Sequence, residues 1–341
     1  MKIISQWLVF YNISNMEGVT VKEKNVSLAK KGLGARIADE FKRNYILYIL
    51  AIPVIAYFLV FCYLPMFGLV MAFKDYKVMK GIWGSDWAGM HGFQHFYTFL
   101  SDPAFLSVFK NTIVISLLDL VFGFPAPVIF ALMLNEIKNL KYKKVIQTVT
   151  YLPHFISLVV ICGMVTTFLK PEGILTSFFM LFGGQEVDYM LKPEWFRTIY
   201  IASGIWQGIG WGSIIYLSAL SSIDQELYEA AVIDGAGKWK QVIHITIPGI
   251  ASTIIILFIM RMGSVLSVGY EKIILLQNSY NHDISQVISS YIYEVGLSGK
   301  YPRADAMPLS AAAGLFQSVV NIIFLVAANT ISRKFSESSL F

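Results

Sequence analysis

The 341-residue sequence is 56% hydrophobic, 15% aromatic and 14% charged, with a formal net charge of +5 and a mean hydropathy well above zero. Soluble chains of this size carry about a quarter charged residues, so the composition excludes an ordinary soluble domain and turns the apolar excess towards lipid. The basic residues form no single patch interleaved with aromatic and polar readers, which excludes the pattern of a nucleic-acid binder. The two cysteines, Cys62 and Cys162, lie in apolar runs and read as small hydrophobes, not as a disulfide framework.

Taken in chain order, Met1 to Tyr11 is mildly apolar but too short to span and lacks a following cleavage site, so it does not read as a signal peptide. Met1 to Asn15 is either an interfacial segment or precedes a start at Met16. A bilayer core of about 30 Å needs roughly 20 helical residues. Six stretches meet that need: Tyr45 to Phe73, Val108 to Leu134, Val145 to Leu169, Ile199 to Leu220, Ile247 to Val268 and Ser310 to Ile331. The fold class expected is therefore an all-α membrane protein with six transmembrane helices. Pro53, Pro65, Pro125, Pro127 and Pro153 predict kinked or locally unwound spans, tolerated where neighbours or a cavity satisfy the freed backbone.

Orientation follows from Lys and Arg. Lys22, Lys24, Lys30, Lys31, Arg36, Lys42 and Arg43 precede the first span; Lys138, Lys141, Lys143 and Lys144 follow the second; Arg333 and Lys334 follow the last. The positive-inside rule places these ends, both termini included, in the cytoplasm. The partition expected is an N-terminal extension over 1–43, a membrane domain over 44–333 and a tail over 334–341. Outward loops carry Trp83, Trp87, Phe93, Phe96, Tyr97, Phe99 and Trp195, which read as an aromatic belt at headgroup level or as rings that stack on a sugar presented from outside.

The inward loop over 221–248, between the fourth and fifth spans, is the most informative stretch. Ser222 with Gln225 resembles a capping box, Leu227, Ala230, Ala231 and Asp234 share a helical face, and Gly235 and Gly237 permit a tight reversal. The small Ala230 and Ala231 admit another surface closely, while Glu229 and Asp234 offer carboxylates to basic groups on it. An isolated helix this short is marginal in water, so docking is a source of its order; the plainer alternative is a loop helix lying on the membrane.

The run Glu229-Ala-Ala-Val-Ile-Asp-Gly-Ala236, followed by Val242-Ile-His-Ile-Thr-Ile-Pro248, resembles the EAA loop of bacterial binding-protein-dependent ABC importer permeases. The resemblance implies that Glu229, Ala230, Ala231 and Gly235 form a coupling helix seated in an ATPase subunit, with Asp234, Ala236 and the closing Pro248 in the same segment. Val242 stands where Phe is common and His244 where a basic residue is frequent. Gly92 to Phe105, continuing to Asn111-Thr112, looks like the segment before the second span of sugar-importer permeases. Arg261 to Glu271 and Ile284 to Leu297 resemble the branch that handles polysaccharides and complex oligosaccharides. The implied assembly in the bacterial plasma membrane pairs this chain with a second, homologous permease, two ATPase subunits holding ATP and Mg, and an external solute-binding protein that selects the sugar.

Charges and amides inside the spans are the remaining candidates. Intramembrane charge is costly and faces a cavity or a partner, so Arg261 and Asp119 line a substrate pathway or pair to hold the bundle, or Arg261 snorkels to the outer surface. Trp206, Gln207 and Trp211 in the glycine-rich fourth span are further pathway candidates, although small residues there also serve close helix packing. His91 and His95 have the spacing of a helical metal pair but no third ligand, so no metal site is expected; His154 beside Pro153 reads as a packed group. No phosphate-cradling Gly-x-x-x-x-Gly-Lys-Ser/Thr occurs, so ATP hydrolysis is expected in a partner and no cofactor or catalytic residue in this chain. The alternatives are a permease for a non-sugar solute, an ion-driven secondary transporter, which would use intramembrane acids and internal repeats, and a membrane enzyme, which would show paired carboxylates or a metal cluster.

Overall fold

The computed structural model describes residues 33–299 and 303–335. The remaining parts of the expected N-terminal extension and tail, with Lys22, Lys24, Lys30 and Lys31, lie outside the described residues. The chain divides into two units, Met1–Phe67 and Gly68–Phe341. In the first, helix α1 (Leu33–Tyr57) continues through a π turn, Phe58–Tyr63, into Leu64–Met66.

The second unit is almost entirely helical. A two-residue hairpin, β1 (Lys74–Asp75) against β2 (Asp86–Trp87), is followed by α2 (Gln94–Leu100), α3 (Phe105–Leu118) and α4 (Pro125–Asn135). Then come α5 (Leu140–Tyr151), α6 (Leu158–Phe168), α7 (Phe196–Ser221), α8 (Gln225–Ile233), α9 (Lys238–Gln241), α10 (Ala251–Met262), α11 (Tyr270–Leu276), α12 (Ile288–Gly296) and α13 (Ala306–Phe335).

Among the described residues, three helical stretches are long and apolar enough to cross a membrane: Phe41–Phe73, Phe105–Asn135 and Ala306–Lys334. Two bent pairs raise the number to five. The expected third span breaks by 103° between Leu140–Phe155 and Leu158–Phe168, and the fifth by 60° between Lys238–Gly249 and Ala251–Met262. The fourth is one 26-residue helix, α7, diluted by glycine and serine.

Three of the prolines act through a common device, whereas Pro53 lies inside the α1 helix. π turns at Phe58–Tyr63, Asp119–Gly123 and Val242–Thr246 each end two residues before Pro65, Pro125 and Pro248 respectively. Proline lacks the N–H and its ring pushes away the carbonyl four residues back, so the preceding turn widens to the five-residue spacing. At Pro153 the helix instead tightens to a 3₁₀ turn, Leu152–Phe155, and ends.

Three apolar clusters hold the unit together. Ile115, Cys162, Phe196, Ile199, Ile273 and Leu276 pack between α3, α6, α7 and α11. Phe99, Val108, Ile288, Tyr291, Leu309 and Ala313 join α2 and α3 to α12 and α13; Phe99 is thus core, not part of an interfacial belt, whereas Trp83, Trp87, Phe93 and Tyr97 are exposed. Ala131, Tyr216, Leu220, Ile223 and Ile250 close the opposite end. Gly210 brings α7 against the Thr150 carbonyl of α5, where a Cβ would overlap that backbone.

Segments far apart in the sequence are tied by side chains. Asn111 donates through Nδ2 to the carbonyls of Asp283 (2.7 Å) and Gln286 (3.1 Å), and accepts from Arg197 (2.9 Å). Arg303 donates to Asp305 at 3.0 and 3.1 Å and holds that carboxyl below its usual range. Burial, reinforced by the bond from its hydroxyl to Asp102 (2.9 Å), pushes the Tyr291 phenol up.

Asn111 is buried, so Asn111→Ala leaves two carbonyls and a guanidinium short of a partner. The expected loss is about 1–3 kcal/mol, read as a lowered unfolding midpoint of the detergent-purified protein.

Candidate functional site

Helix α7 carries Tyr200, Gly204 and Gln207 at spacings of four and three, which place them on one face. That face borders a polar cavity of about 290 Å³ whose other walls are Ser116 and Asp119 of the second span, Arg261 at the end of α10, Ser264 and Ser267 beyond it, and Lys272 of α11. Asp119 and Arg261 form an ion pair across the cavity, the Arg261 side chain 52% exposed and that of Asp119 30%. A Cβ at Gly123 would overlap the Asp119 carboxylate, so that glycine makes its room.

Arg261 lies in the last turn of its helix and not deep within it, because α10 stops at Met262, six residues before the expected end of the span. The irregular backbone that follows is satisfied by side chains. Ser116 Oγ donates to the Val265 carbonyl at 2.5 Å, the Leu266 N–H donates to Asn321 Oδ1 at 2.9 Å, and Gln317 donates to the Leu266 carbonyl at 3.0 Å. Unwound backbone at membrane depth requires such partners and lines a cavity.

A second cavity of about 490 Å³ shares Asp119, Gly204, Arg261 and Ser264 and continues along α7 past Gly208 and Gly212 to Tyr216. Of the glycines in this helix, Gly208 meets no atom that a Cβ would touch, while Gly210 serves helix contact.

Three of the five pathway candidates, Asp119, Gln207 and Arg261, thus meet at one cavity. Trp206 faces a separate, apolar cavity of about 450 Å³ with Phe168, Phe179 and Trp195. Trp211 is stacked on His154, with ring centroids 4.6 Å apart and planes 2° apart. Of the histidine pair, His91 adopts φ +56° in a 3₁₀ turn, and the buried His95 ring meets the Lys74 carbonyl at 3.1 Å, so the two do not share a helix. Sequence reasoning missed Lys272, Tyr200 and Gly204. The available signal was a lone lysine abutting the apolar run Ile273 to Leu276, in a segment read as an outer loop.

The loop over 221–248 folds as a short helix, a glycine reversal and a return. Asp224, not Ser222, caps α8: its carboxylate accepts from the Glu226 N–H at 3.0 Å, whereas Ser222 Oγ donates back to Ala219. The carboxylate fits because an anion compensates the open N–H groups of a first turn. At the other end Gly235 takes φ +75°, and the Ala236 N–H reaches the Ala231 carbonyl at 2.8 Å, a left-handed closure that favours glycine.

The loop is anchored on one side. Buried Ile223 packs against Gly249, the Tyr228 hydroxyl lies 3.0 Å from Thr246 Oγ1, Gln241 donates to the Ala236 carbonyl at 2.9 Å, and Lys238 pairs with Glu136 at 3.0 Å. Its other side is open. Leu227, Glu229, Ala230, Val232, Ile233, Asp234 and Trp239 are exposed, as is Pro248, and Ala231 and Ala236 are half-buried. Ile233 and Trp239 keep 86% and 80% of their surface accessible, which is unusual for large apolar side chains on a short helix and turn.

Over residues 123–337 the chain matches the family described as binding-protein-dependent transport system inner membrane component. Protein LplB of Bacillus subtilis strain 168 is 40% identical over 321 residues, covering 94% of this chain and 98% of that protein. The polygalacturonan/rhamnogalacturonan transport system permease protein YteP of the same organism is 37% identical over 313 residues, covering 92% of this chain and 95% of that protein. A chain from the crystal structure of a bacterial alginate ABC transporter, in complex with its alginate pentasaccharide-bound periplasmic protein, has 41% identity. Its TM-score is 0.80, with 89% of this chain and 100% of that chain covered.

The half-exposed ion pair supports a double-mutant test. Arg261→Ala or Asp119→Ala singly should lower stability by roughly 1–3 kcal/mol, between the exposed and buried limits, and the double variant should unfold no earlier than the worse single one. Unfolding midpoints in detergent measure the coupling.

Proposed function

The chain belongs to the binding-protein-dependent transport system inner membrane component family, and we propose from this that it is the permease subunit of an ATP-driven importer for an oligosaccharide or polysaccharide-derived sugar. The relative whose transport system is assigned polygalacturonan and rhamnogalacturonan, and the alginate transporter, support the substrate class. The working assembly comprises this permease, a second homologous one, two ATPase subunits that bind ATP and Mg, and an external solute-binding protein. The chain crosses the membrane six times, with α7 and the two bent pairs each as one span and both termini in the cytoplasm.

The observation that carries the mechanism is mechanical continuity. Helix α7, about 39 Å long at a rise of ~1.5 Å per residue, starts beside the cavity and ends at the exposed loop; α9 and α10 return from that loop to Arg261. Displacement of the loop therefore moves two walls of the cavity together. Closure of the ATPase subunits on ATP pulls the loops of both permeases and reopens the bundle outward, and hydrolysis releases it.

In this reading Ala230, Ala231 and Ala236 let the ATPase surface approach α8, Glu229 and Asp234 meet its basic groups, and Ile233 and Trp239 supply apolar contact. Gly235 sets the reversal, and Pro248 with its π turn forms the elbow into α10. Asp119, Gln207 and Arg261 line the pathway.

Gly235→Val places a β-branched residue at φ +75°. The expected result is normal membrane insertion, loss of co-purifying ATPase and uptake reduced at least about tenfold, the effect of ~1.4 kcal/mol or more of lost docking. Wild-type uptake by this variant counts against the loop as the coupling element.

A further inference from the structure

Lys272 is 7% exposed, and among the described residues no carboxylate pairs with its ammonium; the titratable group that interacts with it is the buried Cys162 thiol. The ammonium donates to the Tyr200 carbonyl at 2.8 Å and lies 4.6 Å from the centre of the Tyr200 ring. An ammonium offers three donors, and burying it without a counter-ion is costly. The carboxylate lining the same cavity, that of Asp119, is taken by Arg261. With Lys272 protonated, the cavity carries one positive charge in excess.

The surroundings keep that charge in place and accessible from the cavity. Gly204 stands where any side chain would crowd it, since a Cβ there would lie 3.1 Å from Lys272 Nζ. The Gln207 amide and the Ser264 and Ser267 hydroxyls line the same space, which is the polar lining a sugar ring requires. Among the described residues no further carboxylate lines the cavity.

We propose that the missing counter-ion is a carboxylate on the cargo, so that the cavity bounded by Lys272, Tyr200, Gly204 and Gln207 selects acidic, uronate-containing oligosaccharides over neutral ones. The proposal rests on the importer reading and narrows its substrate class. The Asp119–Arg261 pair serves the same end, because Arg261 neutralises the acid that would otherwise repel the cargo. Lys272 and the cargo carboxylate form a charge-assisted bond of the kind that discriminates strongly where water is excluded.

The test uses proteoliposomes holding the complete importer with its binding protein, and two probes: trigalacturonate and its methyl ester, alike in the sugar chain and different in charge. Lys272→Met should reduce uptake of trigalacturonate about tenfold or more, the size of one charge-assisted hydrogen bond, and leave uptake of the ester within about twofold. Gly204→Ala should lower uptake of the acid selectively by crowding the ammonium. Equal loss on both probes or no loss on either overturns the proposal. So does a wild-type importer that moves the ester or a neutral saccharide under ATP but not trigalacturonate, an outcome that leaves the importer reading intact. Absence of any co-purifying ATPase would instead remove the importer reading and this inference with it.

Discussion

The pairing of Asp119 with Arg261 is the contact on which the interior of the protein depends. It joins a π turn in the middle of one span to the last turn of another, and two cavities meet at it. Charge inside an apolar bundle persists only when it is compensated or faces a polar space. Here both conditions hold, because the pair neutralises itself and still borders the cavity. Gly123 and Gly204 complete the arrangement by leaving space for the Asp119 carboxylate and for the Lys272 ammonium.

The same constraint governs the backbone. Every break in a span must find partners for the N–H and C=O groups it frees. The unwound stretch after Met262 finds them in Ser116, Asn321 and Gln317, drawn from two other spans. The proline-linked π turns solve the problem locally, by widening one turn instead of ending the helix. A polar, irregular wall can thus exist at membrane depth without exposing backbone to lipid, and a substrate that moves through the bundle needs such a wall.

The loop over 221–248 is built on a different principle. Its helix is held on one side by Ile223, Tyr228 and Thr246 and left open on the other, with apolar side chains in solvent. A short helix of this kind is poorly stable unless covered, so its open face is a docking surface in the proposed assembly. Helix α7 and the bent α9–α10 segment connect that face to the cavity.

Much of this was legible in the sequence. Apolar run lengths were enough for a helical membrane protein, and the Glu229 to Pro248 pattern for the exposed loop with Gly235 at its reversal. Asp119, Gln207 and Arg261 could be nominated because polar groups in apolar runs stand out by composition alone. The tertiary structure decided which of them meet: it gathered these three at one cavity, sent Trp206 and Trp211 to other surroundings, and added Lys272, which the run of residues had placed in a loop. It also decided where the expected third and fifth spans bend and that Asp224 caps α8. The physical reason is that hydropathy and local motifs are properties of neighbours along the chain, whereas a cavity, an ion pair and an uncompensated charge are properties of neighbours in space, drawn from helices more than a hundred residues apart in sequence.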